Sequence, residues 1–531
     1  MKLLKAMVTV AGMTGLSRII GFVRDVMTAA ILGAGPLADA FFVALKLPNF
    51  FRHVTAEGAF AVSFVPIYSE TLERDGENAA AAFAGEAFGV MFAMIGIFSI
   101  VMIAAMPWVI YLIAPGFEAG SQQYQAAVEM TRITFPYLLL MSLCALVGGM
   151  LNAHDKFAPF AAAPIFFNLC QIVALLCAVW FKTPGHALSW GIAAAGAVQL
   201  AWLWWFLGRY KIKLHIRKPA LTPQVKRLFR QMTPGAIGAG IIHINLFIDL
   251  IIASFLATGA ISSLYYADRL FQLPLGVIGI AVGTALLPML TKALTANQTE
   301  EARDLFNRAL EYCMILTVPA AVALILVPSE LVGVLFERGE FTHGDTLRTA
   351  PALACLALGL PAYVAVKILS SAYWARHDTL TPVKIAVMMA GFNVIVAVVM
   401  TRFIDVAGIA LATGLSGWAQ CFLLWRGLRG NAATAFDARL KKAMVKIGLS
   451  AAGMGISLAI IARVFADGFQ SEDTLPKLVA LLVLVGGGGA VYFIAAQVTG
   501  VLRIQDLKTY FVKKPKKMPE NLQALESEGQ E

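Results

Sequence analysis

The sequence predicts an all-α polytopic membrane protein of about fourteen transmembrane helices: two six-helix lobes related by a pseudo-twofold axis along the membrane normal, plus two C-terminal helices. Three observations carry this. The 531 residues are 59% hydrophobic and 14% charged, with a mean hydropathy of +0.75, whereas soluble domains average roughly 45–50% apolar and about 25% charged. Apolar runs long enough to cross a bilayer recur from residue 8 to residue 500. Glycine, proline and aromatic landmarks also repeat at an offset near 224.

A ruler of about 20 residues per span places helices near 6–32, 37–68, 79–113, 126–152, 158–181, 187–208, 232–257, 262–290, 305–328, 348–374, 382–401, 406–425, 443–465 and 477–500. Met1 to Lys5 resembles a signal-peptide n-region. The apolar stretch behind it is interrupted by Arg18 and Arg24 and lacks a convincing cleavage site, so it reads as a retained first helix. The second and eighth spans are long enough to leave the bilayer or to break. The tail from Arg503 is basic through Lys517 and then acidic, and reads as a surface segment.

Lysine and arginine asymmetry sets the orientation. With both termini cytoplasmic, the external connections carry Lys182, Arg338, Arg348, Arg402, Arg463 and Lys477, and the cytoplasmic segments carry several times as many. The largest cluster, Arg209, Lys211, Lys213, Arg217, Lys218, Lys226, Arg227 and Arg230, lies midway along the chain. The net charge of +10 therefore reflects topology and contact with anionic lipid, not nucleic-acid binding.

The halves repeat. Gly35 and Gly259 are 224 apart, each before a helix with paired aromatics, Phe41-Phe42 against Tyr265-Tyr266. Pro66 and Pro288 are 222 apart, Pro107 and Pro328 221, Phe117 and Phe341 224, Pro136 and Pro361 225, Asp155 and Asp378 223, Asn168 and Asn393 225. One near-constant offset signals an internal duplication. Six helices per repeat, an even number, give both repeats the same orientation, with a substrate cleft between them. The expected division is 1–215 for the first lobe, 216–430 for the second, 431–502 for helices thirteen and fourteen, and 503–531 for a cytoplasmic tail.

Charges inside the spans point to function. One at the bilayer centre costs roughly 2.5–3.5 kcal/mol even on a lenient insertion scale, so each must face a wet cavity or a partner charge. Arg132, Lys384 and Lys446 lie where they can snorkel. The first two helices carry Arg18, Arg24, Asp25, Asp39, Lys46, Arg52, His53 and Glu57; the second lobe adds Asp268, Arg269 and Lys367. Asp39, Lys46 and His53 follow at seven-residue spacing and Glu57 comes four later, which forms one stripe. Gly12, Gly15, Gly21 and Pro48 permit the bends that bring the arginines to one space. Planar guanidinium forks suit phosphate. We expect a cavity for a phosphate-bearing polyanion, lined by Arg18, Arg24, Arg52 and Arg269 together with Asp25, Asp39, Glu57 and Lys367. The alternative is that Arg24–Asp25 and Asp268–Arg269 are ion pairs that fix helix packing. Adjacent helical residues point apart, so neither pair is expected to bridge locally.

Asp249, Asn393 and Thr413 form a sparser set that can gather oxygens around a small cation or be satisfied by neighbours. The six cysteines, Cys144, Cys170, Cys177, Cys313, Cys355 and Cys421, lie in apolar segments without a CxxC spacing and read as small buried hydrophobes. There is no HExxH, P-loop or aspartate-rich diphosphate motif, so no covalent chemistry is expected. Without a nucleotide site, the driving force falls to ion gradients, membrane potential or consumption of product.

The segment MTGLSRIIGFVRDVMTAAILGAGPLADAFFVALKLPNFFRHVTAEGAFAVSFVPIYSE, joined by YYADRLFQLPLGVIGIAVGTALLP and TPVKIA, resembles the MurJ (MviN) family, the lipid II flippases of the MOP exporter superfamily. The resemblance runs from about residue 2 to residue 500. It implies a fourteen-helix fold that moves undecaprenyl-diphosphate-linked peptidoglycan precursor from the cytoplasmic to the periplasmic leaflet of the bacterial inner membrane. Its partners would be lipid II, membrane lipids and other cell-wall synthesis proteins. The family's cavity arginines fall on Arg18, Arg24, Arg52 and Arg269, and the family also points to Asp39, Glu57 and Lys367. Helices thirteen and fourteen would line a groove for the prenyl tail. Some members bind Na+ in the second lobe; Asp249, Asn393 and Thr413 fit that pattern, but Ala397 stands where an aspartate is expected.

Four other readings remain at this point. A flippase for another lipid-linked oligosaccharide would differ in headgroup competition. A multidrug exporter for organic cations would want an acidic cavity. A membrane-embedded transferase would need positioned carboxylates, usually with a metal. A non-transporting scaffold would have no use for buried charges.

Overall fold

The computed structural model describes residues 2–53, 60–281, 286–296, 298–471 and 473–502, with the backbone alone at 2–8, 237–239, 241–246 and 277–281. Regular structure among the described residues is helical throughout. A helix satisfies its backbone within one segment, as hydrocarbon demands.

The first repeat comprises α1 (Lys2–Leu32), α2 (Pro36–Arg52), α3 (Ala61–Asp75), α4 (Glu77–Ala104), α5 (Met106–Ile113), α6 (Gln122–Thr134), α7 (Tyr137–Ala153), α8 (Ala158–Leu176) and α9 (Pro184–Arg209). The second follows in the same order: α10 (Pro223–Ser254), α11 (Ala260–Ala281), α12 (Leu287–Thr295), α13 (Thr299–Leu326), α14 (Pro328–Phe336), α15 (His343–Leu358), α16 (Leu360–Trp374), α17 (Leu380–Ile404) and α18 (Val406–Leu428). α19 (Ala438–Val464), α20 (Ala466–Gln470) and α21 (Thr474–Val498) follow.

Ten spans among the described residues are long and apolar enough to cross a membrane, and they coincide with ten of the fourteen expected. The other four expected spans fall on α1, α2 with α3, α10, and α11 with α12, each of which adjoins or includes residues not described in full.

The duplication is visible in where helices break. α4 gives way to α5 at Pro107 and α13 to α14 at Pro328; α6 gives way to α7 at Pro136 and α15 to α16 beside Pro361. Proline lacks the N–H that would continue each ladder. Just after α7 and α16, Asp155 and His377 both adopt positive φ, 59° and 63°. Packing repeats too: α1 on α8 matches α10 on α17, α2 on α6 matches α11 on α15, and α8 on α9 matches α17 on α18.

α19 and α21 pack on each other and against α13 and α14. One end is fastened by Arg308 of α13, which pairs with Glu311, Asp304 and Asp437, while Arg439 reaches Glu311 at 3.3 Å. Arg308 and Glu311 are both buried, so neither charge can lose its partner cheaply. The other end is tied by Lys477 to Glu337 at 3.7 Å.

Candidate functional site

We call the side that holds the start of α1 the near face, and the side that holds the α1–α2 turn the far face. At the far face the two repeats are sealed together. Asp39, in the first turn of α2, turns its carboxylate into the start of α11. Oδ2 accepts the Gly259 N–H at 2.7 Å and Oδ1 accepts the Ser262 N–H at 2.8 Å together with the Ser262 hydroxyl. The first N–H groups of a helix have no partner within it, and a carboxylate there also meets the positive end of the helix dipole. Asp39 thus caps a helix of the opposite repeat, and is only 2% exposed.

Backbone contacts thicken this seam. The Tyr266 hydroxyl donates to the Gly33 carbonyl at 2.9 Å, the Glu340 N–H to the Ala30 carbonyl at 2.9 Å, and the Gly116 N–H to Ser254 Oγ at 3.1 Å. Gly259, at φ 94°, leaves the Ala34 carbonyl the space that a Cβ would fill. Asp39 was expected to line the cavity; in the structure its carboxylate is instead committed to this seam.

Below the seam, charges of the two repeats meet through one tyrosine. Arg24 of α1 pairs with Asp25 at 2.6 Å, donates to Asn168 Oδ1 of α8 at 2.9 Å, and lies 5.6 Å over the Phe167 ring. Asp25 Oδ1 also accepts the Tyr265 hydroxyl of α11 at 3.2 Å. Arg269 stacks 4.7 Å over that same Tyr265 ring and pairs with Asp268 at 3.1 Å. Phe42 of α2 stacks on Tyr265 with centroids 3.9 Å apart. The two guanidinium groups lie within electrostatic reach of one another. Arg269 Nε is buried without a hydrogen-bond partner among the described residues. The expectation that neighbouring residues would not bridge is corrected here: an arginine is long enough to fold back on the carboxylate beside it, and both pairs close.

Further along α1, the exposed Arg18 guanidinium lies against Gly276 of α11, where no side chain stands in its way. Lys367 of α16, also exposed, is within electrostatic reach of Arg18. Arg52 ends α2 and donates from Nε to Asn49 Oδ1 at 3.2 Å. Glu57 lies outside the described residues.

Asp249, Asn393 and Thr413 are brought together. With its amide nitrogen toward Asp249, Asn393 donates to Oδ1 at 3.2 Å and accepts the Thr413 N–H at 3.1 Å; the Thr413 hydroxyl donates to the Ile409 carbonyl at 3.0 Å. A hard cation wants six or so oxygens. Here the amide offers a donor to the carboxylate, and Ala397, one turn beyond Asn393, offers no ligand. Among the described residues no group of three or more His, Cys, Asp or Glu side chains is placed to hold a metal. The set fits a hydrogen-bonded bridge between α10, α17 and α18 better than a cation cage.

Arg24 and Asp249 stand 225 residues apart, the same offset as Asn168 and Asn393. The duplicated asparagine therefore holds a guanidinium in one repeat and a carboxylate in the other. Sequence reading noted the asparagines as repeat landmarks and placed Asn393 with Asp249 and Thr413, but it gave Asn168 no role and did not foresee its bond to Arg24. It also left Lys46 unassigned, and the structure sets that ammonium within electrostatic reach of Asp249 and Asp268. Tyr265 and Ser262 were missed because their partners are more than 220 positions away.

Known proteins resemble this chain over most of its length. The family described as lipid II flippase MurJ matches over residues 28–479. A probable lipid II flippase MurJ of Rhizobium meliloti (strain 1021) is 40% identical over 508 residues, covering 93% of this chain and 94% of that one. A solved lipid II flippase MurJ in an inward closed conformation superposes with a TM-score of 0.76 at 25% identity, covering 92% of this chain and 98% of the other. An inward-facing multidrug resistance MATE family transporter of the MOP superfamily shares the fold with a TM-score of 0.68 at 13% identity, covering 82% of this chain and 99% of its own. A multi-pass helical membrane protein with this repeat, these embedded arginines and these relatives belongs to the MurJ lipid II flippase family.

Proposed function

We propose that this protein carries lipid II from the cytoplasmic to the periplasmic leaflet of the inner membrane by alternating access, with both termini cytoplasmic, and catalyses no covalent reaction. The observation that carries the reading is the meeting of Arg24 and Arg269, one from each repeat, through Asp25 and Tyr265 beneath a sealed far face. With the far face as the periplasmic side, this is a state closed toward the periplasm.

The mechanism follows from exchange of partners. Asp25 and Asp268 keep the guanidinium groups neutralised and aimed while no substrate is present. A diphosphate entering from the near face offers each fork two acceptors, and bidentate pairing favours phosphate over a single carboxylate oxygen. Low dielectric strengthens each such contact. Drawing Arg24 and Arg269 to the substrate frees Asp25 from its present arrangement with Tyr265, the link that crosses the repeats. The lobes then rock, and the Asp39 cap at α11 releases to open the far face. The prenyl tail stays in lipid or along α19 and α21, whose Leu449, Ile456 and Leu482 are exposed. Return to the closed far face reloads the carrier.

A drug exporter for organic cations is disfavoured by the arginine-lined centre. Other cell-wall synthesis proteins are the partners expected to consume the product. The deciding experiment is reconstitution of the purified chain with labelled lipid II and leaflet-specific detection, with and without an imposed potential. Protein-dependent appearance of label in the opposite leaflet supports the reading; label that stays where it was loaded under both conditions contradicts it.

A further inference from the structure

At the near end of the second repeat is a cavity lined by none of the residues assigned above to transport. It occupies about 360 Å³ where the end of α12, the start of α13, the end of α16 and the loop after α18 meet, and is lined by Leu294, Thr299, Arg376 and the run Gly430 to Ala433. Among the described residues no carboxylate lines it. Glu300 and Glu301 follow Thr299 but are exposed outside the lining. Asp378, two residues beyond Arg376, is engaged in accepting the Thr381 N–H at 3.0 Å, which caps α17.

Arg376 is the unusual member. Its Nη2 is buried and has no hydrogen-bond partner among the described residues, and no ion pair is formed. Arg376 as a whole is half-buried, but a guanidinium nitrogen held away from water without an acceptor is costly, and burial draws Arg376 below the usual arginine value with only Tyr373 to offset it. Other polar capacity converges on the same space. The Asn431 side-chain oxygen is already taken by the Ala433 N–H at 3.0 Å, leaving its amide hydrogens, and Thr299 contributes a hydroxyl.

The first repeat builds the same turn without an arginine. The position 222 residues earlier is His154, at the same turn before a positive-φ residue. There Nδ1 is satisfied by the Met150 carbonyl of its own helix at 2.9 Å. The second repeat replaces a self-satisfied histidine with a guanidinium that faces a polar void.

We propose that this cavity binds a phosphate group, as a phosphate ester or inorganic phosphate, at a site separate from the transport chamber. The guanidinium supplies charge and paired donors, and Asn431 and Thr299 supply neutral ones. Two sources share this chemistry: an anionic lipid headgroup at the near membrane surface, or soluble phosphate. Occupancy would tie together the ends of α12, α13, α16 and α18.

The test uses the full purified chain in phosphatidylcholine nanodiscs, with or without phosphatidylglycerol, titrated with inorganic phosphate and followed by thermal unfolding. The parent is expected to gain stability with one probe. Arg376→Gln should weaken the apparent affinity about tenfold, in line with loss of one charged hydrogen-bonding partner, and Arg376→Lys should retain part of it. Asn431→Asp, which keeps the arginine and adds a repelling carboxylate, should weaken it as well, and carries the test if Arg376→Gln does not fold. A response to phosphate in phosphatidylcholine alone assigns a soluble ligand; one that needs phosphatidylglycerol assigns a headgroup. Equal behaviour of parent, Arg376→Gln and Asn431→Asp toward both probes, including no response from any, overturns the site. Lipid II movement by Arg376→Gln is expected near the parental rate, so failure here is distinguishable from failure of the transport reading.

Discussion

The Arg18 guanidinium of α1 occupies the space that a side chain at Gly276 of α11 would fill. Gly276→Val must displace it from the space between the repeats. Loss of one charge-assisted contact, roughly 1.5–3 kcal/mol, corresponds to about tenfold or more. We expect lipid II movement to fall by that factor while membrane insertion is unchanged. Gly391→Ala on α17, where nothing stands within 4 Å, is the control and should transport normally. Equal activity of the two variants would remove Arg18 from the path.

Asp39 caps α11 across the far seam. Removing an N-cap costs about 0.5–2 kcal/mol, and losing it only when the far face is closed shifts the population toward the open form. Asp39→Asn and Ser262→Ala should each raise thiol labelling of a cysteine placed at Ala34, by about 5–30-fold for 1–2 kcal/mol. Because the two side chains bond to each other, their effects should be less than additive. Labelling that is unchanged in both variants would make the cap incidental to the gate.

Glu337 ties α14 to α21. Burial pushes its carboxyl up, but hydrogen bonds from Thr346 and His343 and the nearby Lys477 bring it below the usual glutamate value overall. A depressed carboxyl contributes stability above its unfolded value of about 4.3, and loses it as pH falls through the lower folded value. Amide protection at the start of α21 should therefore be full near neutrality and decline in acid below that unfolded value. In Glu337→Gln it should be reduced near neutrality and flatter across the same range.

How much of this was legible in sequence depended on range. The repeat, the ten apolar spans and the embedded arginines all rest on spacing and composition, which a chain displays locally. The cap at Asp39 was not legible, because a carboxylate in a first helical turn looks the same whether it faces a cavity or a helix 220 residues away. Arg24–Asp25 and Arg269–Asp268 were misjudged because helical geometry fixes Cβ directions, whereas a long guanidinium stem can turn back. The shared role of Asn168 and Asn393 needed the positions of their partners, a cation in one repeat and an anion in the other.

The second of those asparagines bears on ion dependence. With its amide nitrogen toward Asp249, Asn393 donates to that carboxylate, and Lys46 lies within electrostatic reach of it. Replacing Na+ by choline in reconstituted vesicles should leave lipid II movement within about twofold, since the set lacks the oxygens that a hard cation needs. A loss that Na+ restores, and that Asp249→Asn abolishes, would reinstate a cation there.

The account rests on guanidinium groups from both repeats sharing one phosphate-bearing headgroup, and the most direct measurement is leaflet-resolved lipid II movement by purified Arg24→Gln and Arg269→Gln in vesicles. We expect each single substitution to abolish movement with membrane insertion retained, since neither repeat alone can hold the diphosphate. Movement at the parental rate in both variants would contradict the shared site.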